Sequence, residues 1–209
     1  MKSRLLSLKK LFVLISAVLL AGCVSLPQRA PLTRTNYMLK AVPPSQTQQT
    51  VNTIIMLNNA TIVPQYASSY FIYQTGRSTF RADYYHKFFV SPSLMVTQIM
   101  QNWLSKSFTQ VIPNTSMIMP DYIIQPNITA LYADTQTSRA VMSIQVMLLK
   151  RRSISQDLVS QQTFTASNPF TLNNPQSLVD AWSHDLTQIL SQVAQSVSVQ
   201  INTAQSPVY

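Results

Sequence analysis

Few side chains in this sequence are equipped for chemistry. There is one cysteine, Cys23, two histidines, His86 and His184, and six acidic residues, all of them Asp. Around Trp182, Asp180 and His184 stand four apart and Asp185 follows directly. Four-residue spacing puts two side chains on one helix face, where a carboxylate can orient an imidazole or the pair can offer two metal ligands. A solvent-facing pair beside Trp182 uses the same spacing and needs no reaction. No Gly-x-Ser-x-Gly elbow is present to hold a nucleophile on a turn. Beyond residue 22 the only glycine is Gly76, too few for a loop that cradles phosphate. His86 sits among aromatics and reads as a packing residue. The expectation is a protein that is not an enzyme and carries no cofactor or metal.

Cys23 has the strongest chemical context. Lys2, Arg4, Lys9 and Lys10 precede the apolar run LFVLISAVLLA at residues 11–21, and no acidic residue comes before Cys23. A basic start, a short apolar run and small residues before a cut form the order of an export signal. As a helix the run measures about 16 Å, whereas a bilayer core is about 30 Å thick, so it cannot remain as a span. Leu20-Ala21-Gly22-Cys23 resembles the lipobox of bacterial lipoproteins. That resemblance implies cleavage before Cys23, diacylglycerol on its thiol, and a further acyl chain such as palmitate on the same terminus. Each buried CH₂ of such chains contributes about 0.8 kcal/mol, which makes a strong anchor. With Cys23 the sole cysteine, no intramolecular disulfide forms. Residues 1–22 then read as a lipoprotein signal peptide, and residues 23–35, with Pro27 and Pro31 and no periodicity, as the lipidated cysteine and a flexible tether. Residue 24 is Val; in lipoproteins of this kind an Asp there goes with retention at the inner membrane. The resemblance thus favours the periplasmic face of the outer membrane.

Beyond the signal, 11 basic residues face 6 acidic ones. The sharpest basic cluster, Lys150-Arg151-Arg152, ends an expected strand and suits solvent or anionic lipid headgroups. Nucleic acid is not an expected partner, because export removes a cytoplasmic address. Aromatics crowd residues 66–89. Tyr70, Tyr73, Tyr84, Tyr85, Phe88 and Phe89 are candidates for contact with a partner or with lipid, and core or cross-strand packing accounts for the same pattern. Met117 and Met119 fit either a soft docking loop or a loop tucked over the core.

These residues are positioned by elements legible as periodicities. Strands are expected at residues 36–40, 51–57, 70–74 and 79–85, the last two joined as a hairpin through Gly76, with extended chain at 61–63 stopped by Pro64. Ser91-Pro92 opens a helix whose stripe is Val96, Ile99, Met100, Trp103, Leu104 and Phe108, closed by Pro113. Residues 122–133, 139–150 and 158–167 form an antiparallel meander. Asn174-Pro175 opens a second amphipathic helix with Leu178, Trp182, Leu186, Ile189, Leu190, Val193 and Val197. The fold class is α+β, a two-layer sandwich: a curved, mostly antiparallel sheet of about six strands with both helices on one face. The domain spans residues 36–201, and residues 202–209 read as a frayed tail.

The order of these elements resembles the ABC-type transport auxiliary lipoproteins, the PqiC-like family, over residues 36–197. Tyr37-Met38-Leu39 matches an opening Tyr-x-Leu strand. Tyr73-Gln74, Gly76, Tyr84-Tyr85 and Phe88-Phe89 before Ser91-Pro92 occupy the places of the family's Tyr-Arg segment, turn, aromatic stretch and helix start. Leu131 to Asp134 matches a Leu-x-x-Asp strand end. Gln74 stands where the family usually has Arg, and Phe88 or Phe89 where it usually has Trp. The resemblance implies a periplasm-facing accessory of an ABC transport system with an MCE-type protein, moving lipids between the two membranes. The implied partners are an MCE-domain protein and an ABC permease complex, with the lipid anchor in the membrane and self-association into a homo-oligomer. The alternative is an outer-membrane structural or assembly lipoprotein unrelated to lipid transport.

Overall fold

The computed structural model describes residues 33–43 and 51–205. The expected signal peptide, Cys23, nearly all of the tether, the Gln-rich loop at 44–50 and the end of the tail lie outside the described residues. Arg34–Tyr209 forms one compact unit. In chain order the strands are β1 (Thr35–Tyr37), β2 (Val51–Leu57), β3 (Thr61–Ile62), β4 (Tyr70–Gly76), β5 (Thr79–Phe88), β6 (Phe108–Pro113), β7 (Tyr122–Asp134), β8 (Arg139–Arg151) and β9 (Gln156–Ala166). Helix α1 (Pro92–Leu104) lies between β5 and β6, and α2 (Pro175–Gln205) follows β9.

The expected meander forms the trunk, with β7 antiparallel to β8 and β8 to β9. Alternation gives β7 its inward face. Tyr122, Ile124 and Ile128 are buried, the register shifts between Ile128 and Ala130, and Leu131 and Ala133 continue the buried row. The other edge of β7 is shared among three parallel partners: β2 at Tyr122 to Ile124, β3 at Asn127 and Ile128, and β4 at Ala133 and Asp134. Pro126 explains where that edge divides. The carbonyls of Ile124 and Ile128 accept from Asn58 and Val63 at 2.9 and 3.0 Å, so the residue midway between them also presents its backbone on that side. Proline has no N-H to donate. It sits where β2 has ended and β3 has not begun, and the β8 ladder loses nothing.

Two wings leave this fork. One is β2 with β6 parallel beside it; the other, the aromatic wing, is β4, then β5 antiparallel, then β1 parallel to β5. Among the described residues the sheet therefore has nine strands where about six were expected. Most paired residues still belong to the antiparallel ladders of β7, β8 and β9. The α+β class stands. Both helices contribute to one core with the inward faces of the strands, and Trp182 of α2 is its largest fully buried side chain. Its indole Nε1 donates to the Tyr132 carbonyl at 3.2 Å, and its ring lies 5.2 Å from Phe71 and 5.5 Å from Phe88.

Both expected helix starts are present. The Ser91 hydroxyl accepts from Leu94 N at 3.4 Å with Pro92 in the first turn, and Asn174 Oδ1 accepts from Ser177 N at 3.1 Å ahead of Pro175. The helix ends differ from expectation. Helix α1 stops at Leu104, capped by Ser105, and the segment assigned to its last turns is strand β6, parallel to β2. Phe108 misleads because it falls four residues after Leu104 and is buried in the same core, but it arrives there from the sheet. The β-branched Thr109, Val111 and Ile112 carry the strand signal. Helix α2 runs on through Gln205 with Ile201 fully buried, so residues 202–205, expected to belong to the tail, are helical. In the β4–β5 hairpin the turn is Arg77-Ser78; Gly76 is the last residue of β4, paired with Thr79, and its φ is not positive.

Two substitutions test this packing. A Cβ on Gly76 would meet Thr79 Oγ1 at 3.4 Å, an ordinary contact, so Gly76→Ala is expected to leave stability unchanged or raise it by about 0.5 kcal/mol through the unfolded chain. Trp182→Ala empties the centre of the core and is expected to cost about 3 to 5 kcal/mol. Thermal melts of both variants check this; a Gly76→Ala protein melting several degrees lower would contradict the strand assignment.

Candidate functional site

The aromatic wing carries all six residues expected to make contacts, and burial separates them. Phe88 is 2% exposed and packs on Phe71 at 4.8 Å, so it belongs to the core and leaves the contact set. A hydrophobic strand residue alternates into the core by position, and sequence crowding alone cannot say on which face it falls. Tyr84, Tyr85 and Phe89 are exposed at 54%, 45% and 66%. The Arg34 guanidinium lies over the Tyr84 ring at 4.6 Å, and Tyr84 meets Tyr85 edge-on at 5.4 Å. Tyr70 and Tyr73 are half-buried, with the Lys87 ammonium 5.9 Å from the Tyr70 ring.

Behind the exposed tyrosines lies an open cavity of about 560 Å³, lined among others by Tyr73, Arg81, Asp83, Tyr85, His86 and Phe170. Asp83 organises its wall. Its carboxylate accepts from the backbone N-H of Tyr85 at 2.7 Å and of His86 at 3.2 Å, and pairs with His86 Nδ1 at 2.8 Å. Burial pushes this carboxyl up, but the His86 hydrogen bond and the two backbone donors outweigh it and hold Asp83 below the usual carboxylate range. Burial, joined by the charge of Asp83, raises the Tyr73 hydroxyl well above its ordinary value and keeps it protonated. The arrangement fixes an imidazole and offers hydroxyls and a guanidinium to a polar group. The Asp83–His86 pair escaped the sequence reading; its only sequence signal is an acidic residue three before a histidine.

The other chemical candidates fall elsewhere. Asp180 accepts from Gln176 Nε2 at 2.9 Å, and His184 is exposed on the same face of α2. Asp185 turns the other way and is fully buried. Asn168 Nδ2 donates to its Oδ1 at 2.7 Å, while Oδ2 has no partner among the described residues. Among the described residues no three His, Cys, Asp or Glu side chains gather as metal ligands, and no helix is long and apolar enough to cross a membrane. Met117 and Met119 stand out from the surface at 102% and 69% exposure, so their loop is not tucked over the core.

Residues 37–194 match the family described as the ABC-type transport auxiliary lipoprotein component. A crystal structure of a protein from Xanthomonas campestris, assigned to a DUF330 family, superposes with a TM-score of 0.70 at 15% identity, covering 83% of this chain and 100% of the other. A second crystal structure, of an uncharacterized protein, gives a TM-score of 0.64 at 11% identity over 79% of this chain and 99% of the other. At such identities the likeness is one of fold. No curated protein matches the chain.

The buried Asp185 generates a pH dependence. Burial raises its carboxyl to about 7, against the opposing pull of Asn168 and Arg139. The folded state therefore holds a proton that the unfolded state has already released, and stability falls as pH rises from about 4 to about 7, then levels off. Asp185→Asn is expected to flatten that slope and to stabilise the protein at pH 8 by about 2 kcal/mol. Denaturant melts across pH check it; a wild-type stability that climbs through this window would contradict the buried, protonated carboxyl.

Proposed function

Since this chain belongs to the family of ABC-type transport auxiliary lipoprotein components, we propose that it is the periplasm-facing accessory of an MCE-type ABC transport system moving lipids between inner and outer membrane. The family match over residues 37–194 carries the reading, and the lipobox-like Leu20-Ala21-Gly22-Cys23 supplies the means of attachment. In this reading Cys23 bears the acyl chains, residues 23–35 are the lipidated cysteine and its tether, and the domain faces the periplasm from the outer membrane. Its work is docking, not catalysis. An MCE-domain protein and an ABC permease complex are the partners, and several copies of the chain associate to seat them.

The aromatic wing is the favoured docking surface. Tyr84, Tyr85 and Phe89 combine large contact area with few rotatable bonds, and Arg34 and Arg81 add planar donors beside them. ATP binding and hydrolysis are left to a separate subunit.

Two measurements test this reading. Cells fed labelled palmitate are expected to label the wild-type chain and not Cys23→Ser, which moves to the soluble periplasmic fraction; equal labelling of both would contradict the anchor. Tagged full-length protein purified from membranes is expected to bring down the MCE protein and permease, with at least tenfold less of both for a Tyr84→Ala, Phe89→Ala double variant. Recovery of outer-membrane assembly proteins and no transport component would favour the structural alternative.

A further inference from the structure

The end of the sheet farthest from the aromatic wing presents a second surface, built by two loops that the trunk brings together. Tyr122 at the start of β7 pairs with Lys150 at the end of β8, and Arg151 N donates to the Asp121 carbonyl at 2.9 Å. The β6–β7 loop at residues 114–121 and the β8–β9 hairpin therefore share one tip. Their large side chains point outward without cover: Met117 at 102% exposure, Met119 at 69%, Ile154 at 101% and Leu158 at 58%. All are flexible or aliphatic, none aromatic. An apolar row runs up to this tip on the sheet face away from the helices, because Met56 pairs with both Ile112 and Ile123, Ile123 with Leu149, and Leu149 with Leu158.

Charge and chain length say what covers it. The two local carboxylates are engaged, Asp121 by Thr53 Oγ1 and Ile54 N at 3.1 and 2.8 Å, Asp157 by Arg152. Among the described residues neither Lys150 nor Arg151 has an ion-pair partner, and the Lys150 ammonium stands 5.9 Å from the Tyr122 ring. Protruding aliphatics beside unpaired cations match an anionic bilayer surface, where apolar tips enter the acyl boundary and cations meet phosphates. The tether is long enough. Thr35 pairs with His86 at the level of Leu131 on the trunk, and from there down to Tyr122 is about 30 Å at a strand's rise of about 3.3 Å per residue. Residues 23–34 can reach about 36 to 40 Å when extended.

We propose that this tip, Met117, Met119, Ile154 and Leu158 beside Lys150 and Arg151, seats on anionic phospholipid of the bilayer that holds the chain's own anchor. The inference rests on acylation of Cys23 as set out above. The domain then stands upright on its membrane, tip down, with the aromatic wing held away from the lipid for a partner.

The test uses the full-length chain, in which an acylated Cys23 leaves Ile154→Cys as the sole free thiol. An environment-sensitive fluorophore is attached there, or at Ser78→Cys in the opposite hairpin. Each protein is reconstituted into vesicles of phosphatidylcholine alone or mixed with phosphatidylglycerol. The residue 154 probe is expected to shift to the blue and to be quenched by bilayer-embedded quenchers in the mixed vesicles, at least threefold more than in phosphatidylcholine. The Ser78 probe is expected to stay in water. Lys150→Gln with Arg151→Gln should abolish the difference between vesicles, and unchanged melting of these exposed variants shows that the fold is kept. A residue 154 probe that remains in water on both vesicles overturns the proposal, as does one shielded only when an envelope protein is added. Label uptake by the wild-type chain reads Cys23 separately; should it be free, the same probe is measured on Cys23→Ser with Ile154→Cys.

Discussion

Burial of the inward face of the β7–β8–β9 meander, with α2 lying across β8 and β9, is the constraint on which the rest of the structure depends. Ile124, Ile128 and Leu131 of β7 and Met142, Ile144, Val146 and Leu148 of β8 share one buried core with Trp182, Leu186, Ile189 and Leu190 of the helix. Sheet and helix are pinned where the Trp182 indole donates to the Tyr132 carbonyl. The remaining strands join the trunk through its second edge. Because Pro126 cannot donate there, that edge serves separate short partners, and the sheet divides into two wings. The aromatic wing and the loop tip are consequently held at opposite ends of a strand about 40 Å long, at a rise of about 3.3 Å per residue.

That separation gives the molecule two unlike surfaces. One end is rigid and aromatic, with Asp83 and His86 locking the wall of a cavity; the other is aliphatic and cationic. Rigid aromatics suit a shaped protein partner. Soft aliphatic tips beside lysine and arginine suit a fluid one. A lipoprotein that serves a transporter must meet both kinds of neighbour, and the trunk keeps them from competing for one face.

Much of this was legible in the sequence. The meander, the Ser91-Pro92 and Asn174-Pro175 helix starts and the stripe of α2 follow from alternation, capping chemistry and three-to-four spacing, all local rules. What failed was non-local. Strand β6 hid behind the fourfold spacing from Leu104 to Phe108, because a helix and a strand that feed one core both bury their aromatics. Parallel pairing of β2, β3 and β4 with β7 has no short-range signature, since their partners lie far along the chain. Of the six aromatic contact candidates, Phe88 was lost to the core because the residue-by-residue facing of β5 depends on pairing with β1 and β4. Asp185 follows the Asp180 and His184 pair directly in sequence, and one residue's rotation around α2 takes it fully inside.

The central claim is that this chain serves lipid movement between the membranes. Its most direct measurement is the rate at which labelled phospholipid passes between outer and inner membrane in cells with and without the chain. The account predicts slower, still ATP-dependent exchange on deletion, restored by the wild-type chain and not by Cys23→Ser. An exchange rate indifferent to the chain's presence would contradict it.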